Sequence, residues 1–527
     1  MAEGLTSLDP AFARNQANIW ATNQLYNGLF ELDDNLAPVP SLVESWEVSE
    51  NRLVYTFKLK HEIFFHDNDV FPNKKGREVT AEDFVYSFNR IMDDKVASPG
   101  KWVFYDKVLL KSDGKSFSDS AFKALDSHTL RINLRRPFPA FLMLLTMPYT
   151  YVVPKEAVEK YAKEFGTHPV GTGPFKFDKW AQNTSLVLLK NTQYWKKDEN
   201  LVQLPYLDAV QVSFIPDKNQ AFSQFTKGDL DFISGIEEGS KDIVLNRDGS
   251  IKQEFSSKYE VIKSAYLNTE FIGFQLDSTK YTNKKHPFLD RRVRQAMNFA
   301  VNRRDMVTFL RNKLGIPGED GIVPPVMPSF DSSKVVGYNF DLARAQGLMK
   351  EAGYANGQNF PEVTLYTNPN HRDISEYLLK AWKEIGITVK LEENNVATLQ
   401  EMIDNGKASL FRASWLGDYP DAENYLAMFY SKNFTPAGPN KTHFHNKSYD
   451  DFFESVMLED DGFKRYEIYH AMDALAMHEA PVIVLYYDEV LRLASKKVKG
   501  LSINAMNNLH LERVDFVSKN GETEVKK

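Results

Sequence analysis

Segment 371–385 reads as an amphipathic helix, because Ile374, Tyr377, Leu378, Ala381, Trp382 and Ile385 fall on one face. Gly386 supplies its stop, and ITVKL at 387–391 follows at once as a strand. A helix that ends on glycine and runs straight into a strand is what a layered α/β lobe produces. Similar signals recur along the chain. RLVYTFKLK at 52–60 alternates apolar and polar residues, as a half-buried strand does. Thr80 is positioned to cap a helix with Glu82 and Asp83 in its first turn and Phe84, Phe88, Ile91 and Met92 on one face. Asp290 caps another, with Val293, Met297 and Ala300 expected inward and Arg291, Arg292 and Arg294 outward. Asp341 starts a third, carrying Ala345, Leu348, Met349 and Ala352 as a stripe before Gly353. Strands and helices alternate without an internal repeat or a floppy linker, so the lobes are expected to connect through strands, which makes hinges.

With 527 residues the chain is too long for one ordinary core, and two or three lobes are expected. Aromatic residues reach 13%, with 37 Phe, 24 Tyr and 7 Trp, enough to fill cores and line a sizeable cleft. The 64 basic and 71 acidic residues give a net charge of −7 with no basic tail, which excludes a nucleic-acid binder that needs a concentrated basic face. There is no cysteine, so disulfides, thiolate catalysis and cysteine–zinc sites are excluded. The longest uncharged run, 137–154, is interrupted by Pro137, Pro139, Pro148 and Pro154. It reads as a short buried helix at 140–146 rather than a membrane span. The opening MAEGLTSLDPAF lacks the basic and apolar regions of a signal peptide, so the sequence reads as a soluble mature chain whose export signal has been removed.

Familiar catalytic and cofactor motifs are missing. GTGPF at 171–175 resembles a glycine loop, but Pro174 removes a backbone donor that a phosphate would need. HEIFFH at 61–66 is one residue too long for HExxH, and on an extended run its two histidines face opposite ways, which argues against zinc. His443 and His445 flank Phe444 in a polar loop that reads as solvated. No GxSxG elbow is present. No cofactor and no metal site are expected.

Residues 412–418 (RASWLGD) hold more chemistry. They place a cation, an indole and an acid within one short segment, with Gly417 and Pro420 bending the backbone around Asp418. If the segment is extended, Arg412 and Ser414 share one face and Trp415 takes the other. Its span is at most roughly 20 Å. After the inward reach of both side chains, about 10 Å remains, close to the length of an extended tripeptide. A cation and an anion so separated suit a zwitterion, the acid taking an ammonium and the arginine a carboxylate. The same residues also fit a surface strand that ends in a polar turn.

Several segments in order resemble the bacterial extracellular solute-binding proteins of the oligopeptide- and dipeptide-binding family, family 5, which feed ABC transporters. Leu8-Asp9-Pro10 is similar to the family's early sLDP motif, with Tyr26-Asn27-Gly28-Leu29 after it. Ser41-Leu42-Val43-Glu44-Ser45-Trp46-Glu47 resembles its LAESWE signature, followed by YTFKL at 55–59 and VTAEDFVYSF at 79–88. GTGPF at 171–175, NTQYW at 191–195 and PFLDRRVRQAM at 287–297 continue the series. The resemblance covers the chain from near residue 8 to about residue 500. It implies an α/β fold of the type II periplasmic-binding-protein kind, three lobes with a hinged ligand cleft. The expected division is 1–32 with 152–263 and 486–527 as lobe I, 33–151 as lobe II and 264–485 as lobe III.

The resemblance also implies roles. Asp418 occupies the acid position of a W-x-x-D segment that holds a peptide's α-ammonium. Ala413, Ser414 and Trp415 stand in the strand that hydrogen-bonds the peptide backbone, and Tyr419 lies beside them. Arg412 matches an arginine that takes the peptide C-terminus, although Ser414 replaces the family's glycine. His371 resembles a second carboxylate partner, with its spacing off by one residue; read from the residues alone it is a helix-start histidine. Asn15, Asn18 and Trp102 fall where the family contributes cleft wall. Arg14 stands where several relatives carry an acid that meets basic ligands, a departure that puts any preference for basic peptides in doubt.

The expected protein is therefore a non-enzymatic carrier of short peptides that partners a membrane ABC transporter permease. It is expected to be a monomer that does not bind nucleic acid, in a periplasm or on the outer face of the cell membrane, free or lipid-anchored. Alternative cargoes on the same fold are a nickel chelate, haem or an oligosaccharide. A peptide hydrolase is the reading from another class, and no nucleophile–base pair or metal set supports it.

Overall fold

The computed structural model describes residues 4–113, 117–236, 238–282, 285–459 and 461–517. The chain forms two compact units: residues 1–237, 256–262 and 491–527 make the first, and residues 238–255 and 263–490 the second.

In the first unit, helix α1 (Gln16–Leu25) starts at Asn15, whose side-chain oxygen accepts from the Asn18 amide at 2.9 Å. Strands β1 (Val43–Val48) and β2 (Val54–Leu59) precede helix α2 (Ala81–Met92). Thr80 starts α2 as expected, and Asp83 completes a reciprocal cap, the Thr80 amide donating to Asp83 Oδ2 at 2.8 Å. Strands β3 (Phe122–Asp126) and β4 (Thr129–Asn133) complete an antiparallel sheet of order β1-β2-β4-β3. α2 lays Phe84, Phe88, Ile91 and Met92 into the core. Phe88 meets Phe104 and Phe122 there, at ring separations of 4.9 and 5.2 Å. The proline-broken run 137–154 contains the short α-helix Phe141–Leu144 and a single 3-10 turn, Pro148–Thr150, as its prolines dictate.

Strands β5 (Phe175–Ala181), β6 (Ser185–Lys190) and β7 (Ala209–Ser213) form a second antiparallel sheet. The glycine turn before β5 is a packing device. A Cβ on Gly173 would sit 2.5 Å from the backbone carbon of Leu25, so only glycine lets the turn close on the end of α1. Fully buried His66 clasps the same turn, its Nε2 3.0 Å from the Gly173 carbonyl and its amide donating to the Gly171 carbonyl at 2.7 Å. Burial pushes the His66 pKa down to about 4. The LDP motif is structural as well: Asp9 is bound bidentately by Arg90 of α2 at 2.7 and 2.9 Å, with both side chains nearly buried. Strand β8 (Phe232–Ser234) pairs antiparallel with residues 492–494.

Strand β9 (Tyr259–Phe274) passes from the first unit into the second. There, helix α3 (Arg291–Phe299) starts at Asp290, which accepts from the Arg292 amide at 2.9 Å. The expectation that all three arginines of α3 point outward is corrected: Arg294 is buried and donates to the carbonyls of Phe288, Glu479 and Ala480 at 2.6–3.1 Å. It satisfies carbonyls at the end of a distant helix, which no local pattern announces. Helix α4 (Arg303–Arg311) and the short strand β10 (Ile316–Pro317) follow. Strand β11 (Val363–Thr367), helix α5 (Arg372–Lys383) and strand β12 (Val389–Glu393) realise the helix–Gly–strand reading, with Gly386 at φ 83°. Trp382 of α5 is wholly buried and donates to the Met297 carbonyl at 3.1 Å. Strand β13 (Leu410–Leu416), helix α6 (Ala422–Leu426) and helix α7 (Gly462–Glu479) lead to strand β14 (Val482–Ser495), along which the chain returns to the first unit. β13 runs antiparallel to β9 and parallel to β11, which is itself parallel to β12.

Candidate functional site

β13 is held by β9 along its full length, in a register that opposes Glu270 to Ser414, Ile272 to Arg412 and Thr269 to Trp415. Side chains alternate, so Arg412 and Ser414 share a face with Asn268 and Glu270, and Trp415 lies on the opposite face. That is the alternation read from the sequence. On its other edge β13 pairs with β11 only at Leu410 and Phe411. Among the described residues, the β13 edge from Arg412 to Leu416 has no partner strand on that side.

Past the strand the chain turns at Gly417, whose amide donates to the Leu267 carbonyl at 2.8 Å. Asn424 organises the turn. Its Oδ1 accepts from Trp415 Nε1 at 2.9 Å and from the Asp418 amide at 3.1 Å, and its Nδ2 lies 3.4 Å from Asp418 Oδ2. Asp421 caps α6 and accepts from Tyr469 Oη at 2.6 Å, and the Tyr419 hydroxyl donates to Glu423. Tyr419 is thus a buried brace of the turn. The Asp418 side chain remains open to solvent, yet protein crowds it enough that desolvation pushes its pKa up to about 6, opposed by the Asn424 bond. Among the described residues no basic side chain pairs with it. This carboxylate lacks a cation.

Arg412 is placed differently. It forms an ion pair with Glu270, with side-chain exposures of 13% and 7%. Asn268 Nδ2 donates to Glu270 Oε1 at 3.0 Å and reaches Asp488 Oδ2 at 3.4 Å, and Arg311 donates to Asp488 Oδ1 at 2.8 Å. The result is a chain of cation, anion, amide, anion and cation. Burial raises the Glu270 pKa, Arg412 opposes the rise and Asp488 adds to it. The Arg311 guanidinium lies 4.2 Å from the Tyr486 ring. Asn268 Oδ1 is buried without a hydrogen-bond partner. His371 stands at the start of α5, and burial together with Arg412 and Arg311 lowers its pKa to about 3, so its imidazole is neutral at ordinary pH. The second unit therefore brings Arg412 and His371 within electrostatic reach of each other, and β13 carries Ala413, Ser414 and Trp415 on to Asp418.

The other sequence candidates lie in the first unit. Asn15 caps α1. Asn18 is fully buried, accepting from the Thr6 amide at 3.2 Å and donating to Thr6 Oγ1 at 2.8 Å and the Phe12 carbonyl at 3.2 Å. Asn18 thereby holds the N-terminal loop against α1. Trp102 begins a single helical turn, with Lys107 Nζ 5.9 Å from its ring. Sequence reasoning missed Asn268, Glu270, Arg311, Asn424 and Asp488. The available signal was polar residues inside apolar strands: NTE at 268–270 and DE at 488–489.

The family model for the middle region of the bacterial extracellular solute-binding proteins, family 5, matches residues 37–436. The chain belongs to this family. Among curated relatives, the dipeptide-binding protein of Escherichia coli strain K12 is 26% identical over 506 residues, 93% of this chain and 89% of the relative. The glutathione-binding protein GsiB of Shigella flexneri is 27% identical over 526 residues, 98% of this chain and 93% of the relative. Among solved structures, the E. coli murein tripeptide binding protein MppA superposes with a TM-score of 0.75 at 26% identity, covering 98% of this chain and 97% of that one. The periplasmic binding protein DppA from Helicobacter pylori, in complex with peptide STSA, gives 0.75 at 25% identity and 97% of both chains. The fold is that of the type II periplasmic binding proteins, as expected. The family is one of extracellular solute binders associated with transport, and among the described residues no helix is long and apolar enough to cross a membrane.

Proposed function

We propose that this protein captures short peptides by their free α-ammonium and delivers them to a membrane ABC transporter permease. The observation that carries the reading is Asp418, an uncompensated carboxylate at the end of a strand edge that is itself unpaired. A peptide laid along Ala413, Ser414 and Trp415 adds a strand to that edge, and its ammonium supplies the missing cation. Backbone bonds and a charged terminus give affinity whatever the side chains, which suits a sequence-tolerant carrier. The relatives named for dipeptides, a murein tripeptide and glutathione support cargo of this size.

In this proposal Arg412, with His371 beside it, takes the peptide carboxylate by sharing its guanidinium between the ligand and Glu270. Tyr419, Asn15 and Asn18 act as supports, and Trp102 as wall. Residues 1–32, 152–263 and 486–527 form one lobe, 33–151 a second and 264–485 a third. The protein acts as a non-catalytic monomer, in the periplasm or on the outer face of the membrane, lipid-anchored or free.

Native mass spectrometry of protein purified from cells, followed by denaturation and identification of what is released, tests the cargo. A ladder of masses matching mixed short peptides is expected. A single non-peptide mass, such as a metal chelate, haem or oligosaccharide, would overturn the reading.

A further inference from the structure

The segment HEIFFH does not work as a pair. His66 is buried on the glycine turn, whereas His61 sits exposed just past β2. What His61 meets is His128, in the tight turn between β3 and β4, at a ring separation of 3.9 Å. Glu78, in the short run before α2, completes the group, with Oε1 3.3 Å from His128 Nε2. One ligand-capable atom from each of these three residues lies within 4.8 Å of the other two. Ligand atoms around one zinc-sized ion lie roughly 3–4 Å apart, so small side-chain rotations close the set.

The geometry points to a binding site for a borderline divalent transition-metal ion, Zn(II), Ni(II) or Cu(II), formed by His61, Glu78 and His128. Two imidazoles and a carboxylate are the donor set such ions take, in preference to the all-oxygen shells of calcium and magnesium. The surrounding bonds orient the ligands. His128 Nδ1 lies 3.0 Å from Ser127 Oγ, which leaves Nε2 for the ion. Glu78 Oε1 accepts from the Glu62 amide at 2.7 Å, which fixes its carboxylate beside His128. The three ligand-bearing segments are laced together by backbone bonds, Leu59 to His128, Val79 to Ile63 and Ala81 to Ser127, at 2.7–2.8 Å. The ligands are therefore set by the sheet and by the start of α2. Three protein ligands leave at least one coordination position open to water or to a donor from another molecule. This site is separate from Asp418 and Arg412, which belong to the other unit.

The test is isothermal titration of the chelator-stripped full chain with zinc chloride, then nickel and copper chlorides. We expect one saturable site that is weakened about tenfold or more in each of His61→Gln, Glu78→Gln and His128→Gln. His445→Gln, which alters an exposed histidine elsewhere, should bind as the parent does. A second readout on the unmutated protein is protection of His61 and His128 from diethylpyrocarbonate by zinc, read by peptide mapping. Absence of saturable uptake, uptake unchanged by His61→Gln and His128→Gln, or equal labelling with and without zinc would each overturn the proposal.

Discussion

Replacing Asp418 by asparagine keeps the side chain's size and removes the charge that the ammonium is proposed to meet. In the free protein the carboxyl titrates near 6, so at pH 7.5 roughly thirty sites are ionised for each one protonated. A hydrogen bond to a charged group contributes about 1.5–3 kcal/mol. Its loss weakens tripeptide binding roughly 10- to 150-fold, each 1.4 kcal/mol being about a factor of ten. A pH signature accompanies the loss. Proton and ammonium compete for one carboxylate, and the ligand lowers the pKa of the site it occupies. Wild-type affinity should therefore be complete above about pH 7 and fall as pH drops through 6, at most about tenfold per unit. In Asp418→Asn the affinity should be low and flat over the same range. Calorimetry with one tripeptide from pH 5 to 8 reads both effects. Equal affinities for the two proteins at pH 7.5, or a wild-type affinity unmoved through pH 6, would refute the assignment of Asp418.

Arg412→Met should lower stability by about 3 kcal/mol in chemical denaturation, because Glu270 is left buried without its cation. Adding Glu270→Gln should restore most of the loss, and failure to do so would show the two are not coupled. Amidating the tripeptide's C-terminus should weaken binding to the wild type, and the difference should vanish in the Arg412→Met, Glu270→Gln double variant. Equal binding of acid and amide by the wild type would give Arg412 another role. Buried His66, with its pKa near 4 against about 6.5 in an unfolded chain, resists a proton that the unfolded state accepts. Its contribution is thus complete above pH 6.5 and declines by about 3 kcal/mol as pH falls to 4. His66→Gln should flatten that part of the stability profile, and an unchanged slope would contradict the linkage.

What was legible in the sequence was local. The stripe of α5 and its glycine stop, the Thr80 cap of α2 and the alternation of Arg412, Ser414 and Trp415 all depend on residues a few positions apart. They came out as read, with strand ends shifted by a residue or two. The partner of Arg412 lies 142 positions away, and Asn268 meets Asp488 across 220. No spacing rule carries such contacts, so the Glu270 partner of Arg412 was not legible in the sequence. Arg294 was misjudged for the same reason, since two of the three carbonyls it satisfies, those of Glu479 and Ala480, are 185 and 186 residues distant. His61 and His128 meet only because β2 and the β3–β4 turn share a sheet, so no spacing within one segment announces the pair.

The central claim, that a free ammonium is the feature this protein recognises, is tested most directly by titrating the wild type with a tripeptide and with its N-acetylated counterpart at pH 7.5. Acetylation removes the charge and leaves the backbone. The account predicts binding roughly 10- to 150-fold weaker for the acetylated peptide, from the same charged hydrogen bond. Equal affinity for the two peptides would contradict it.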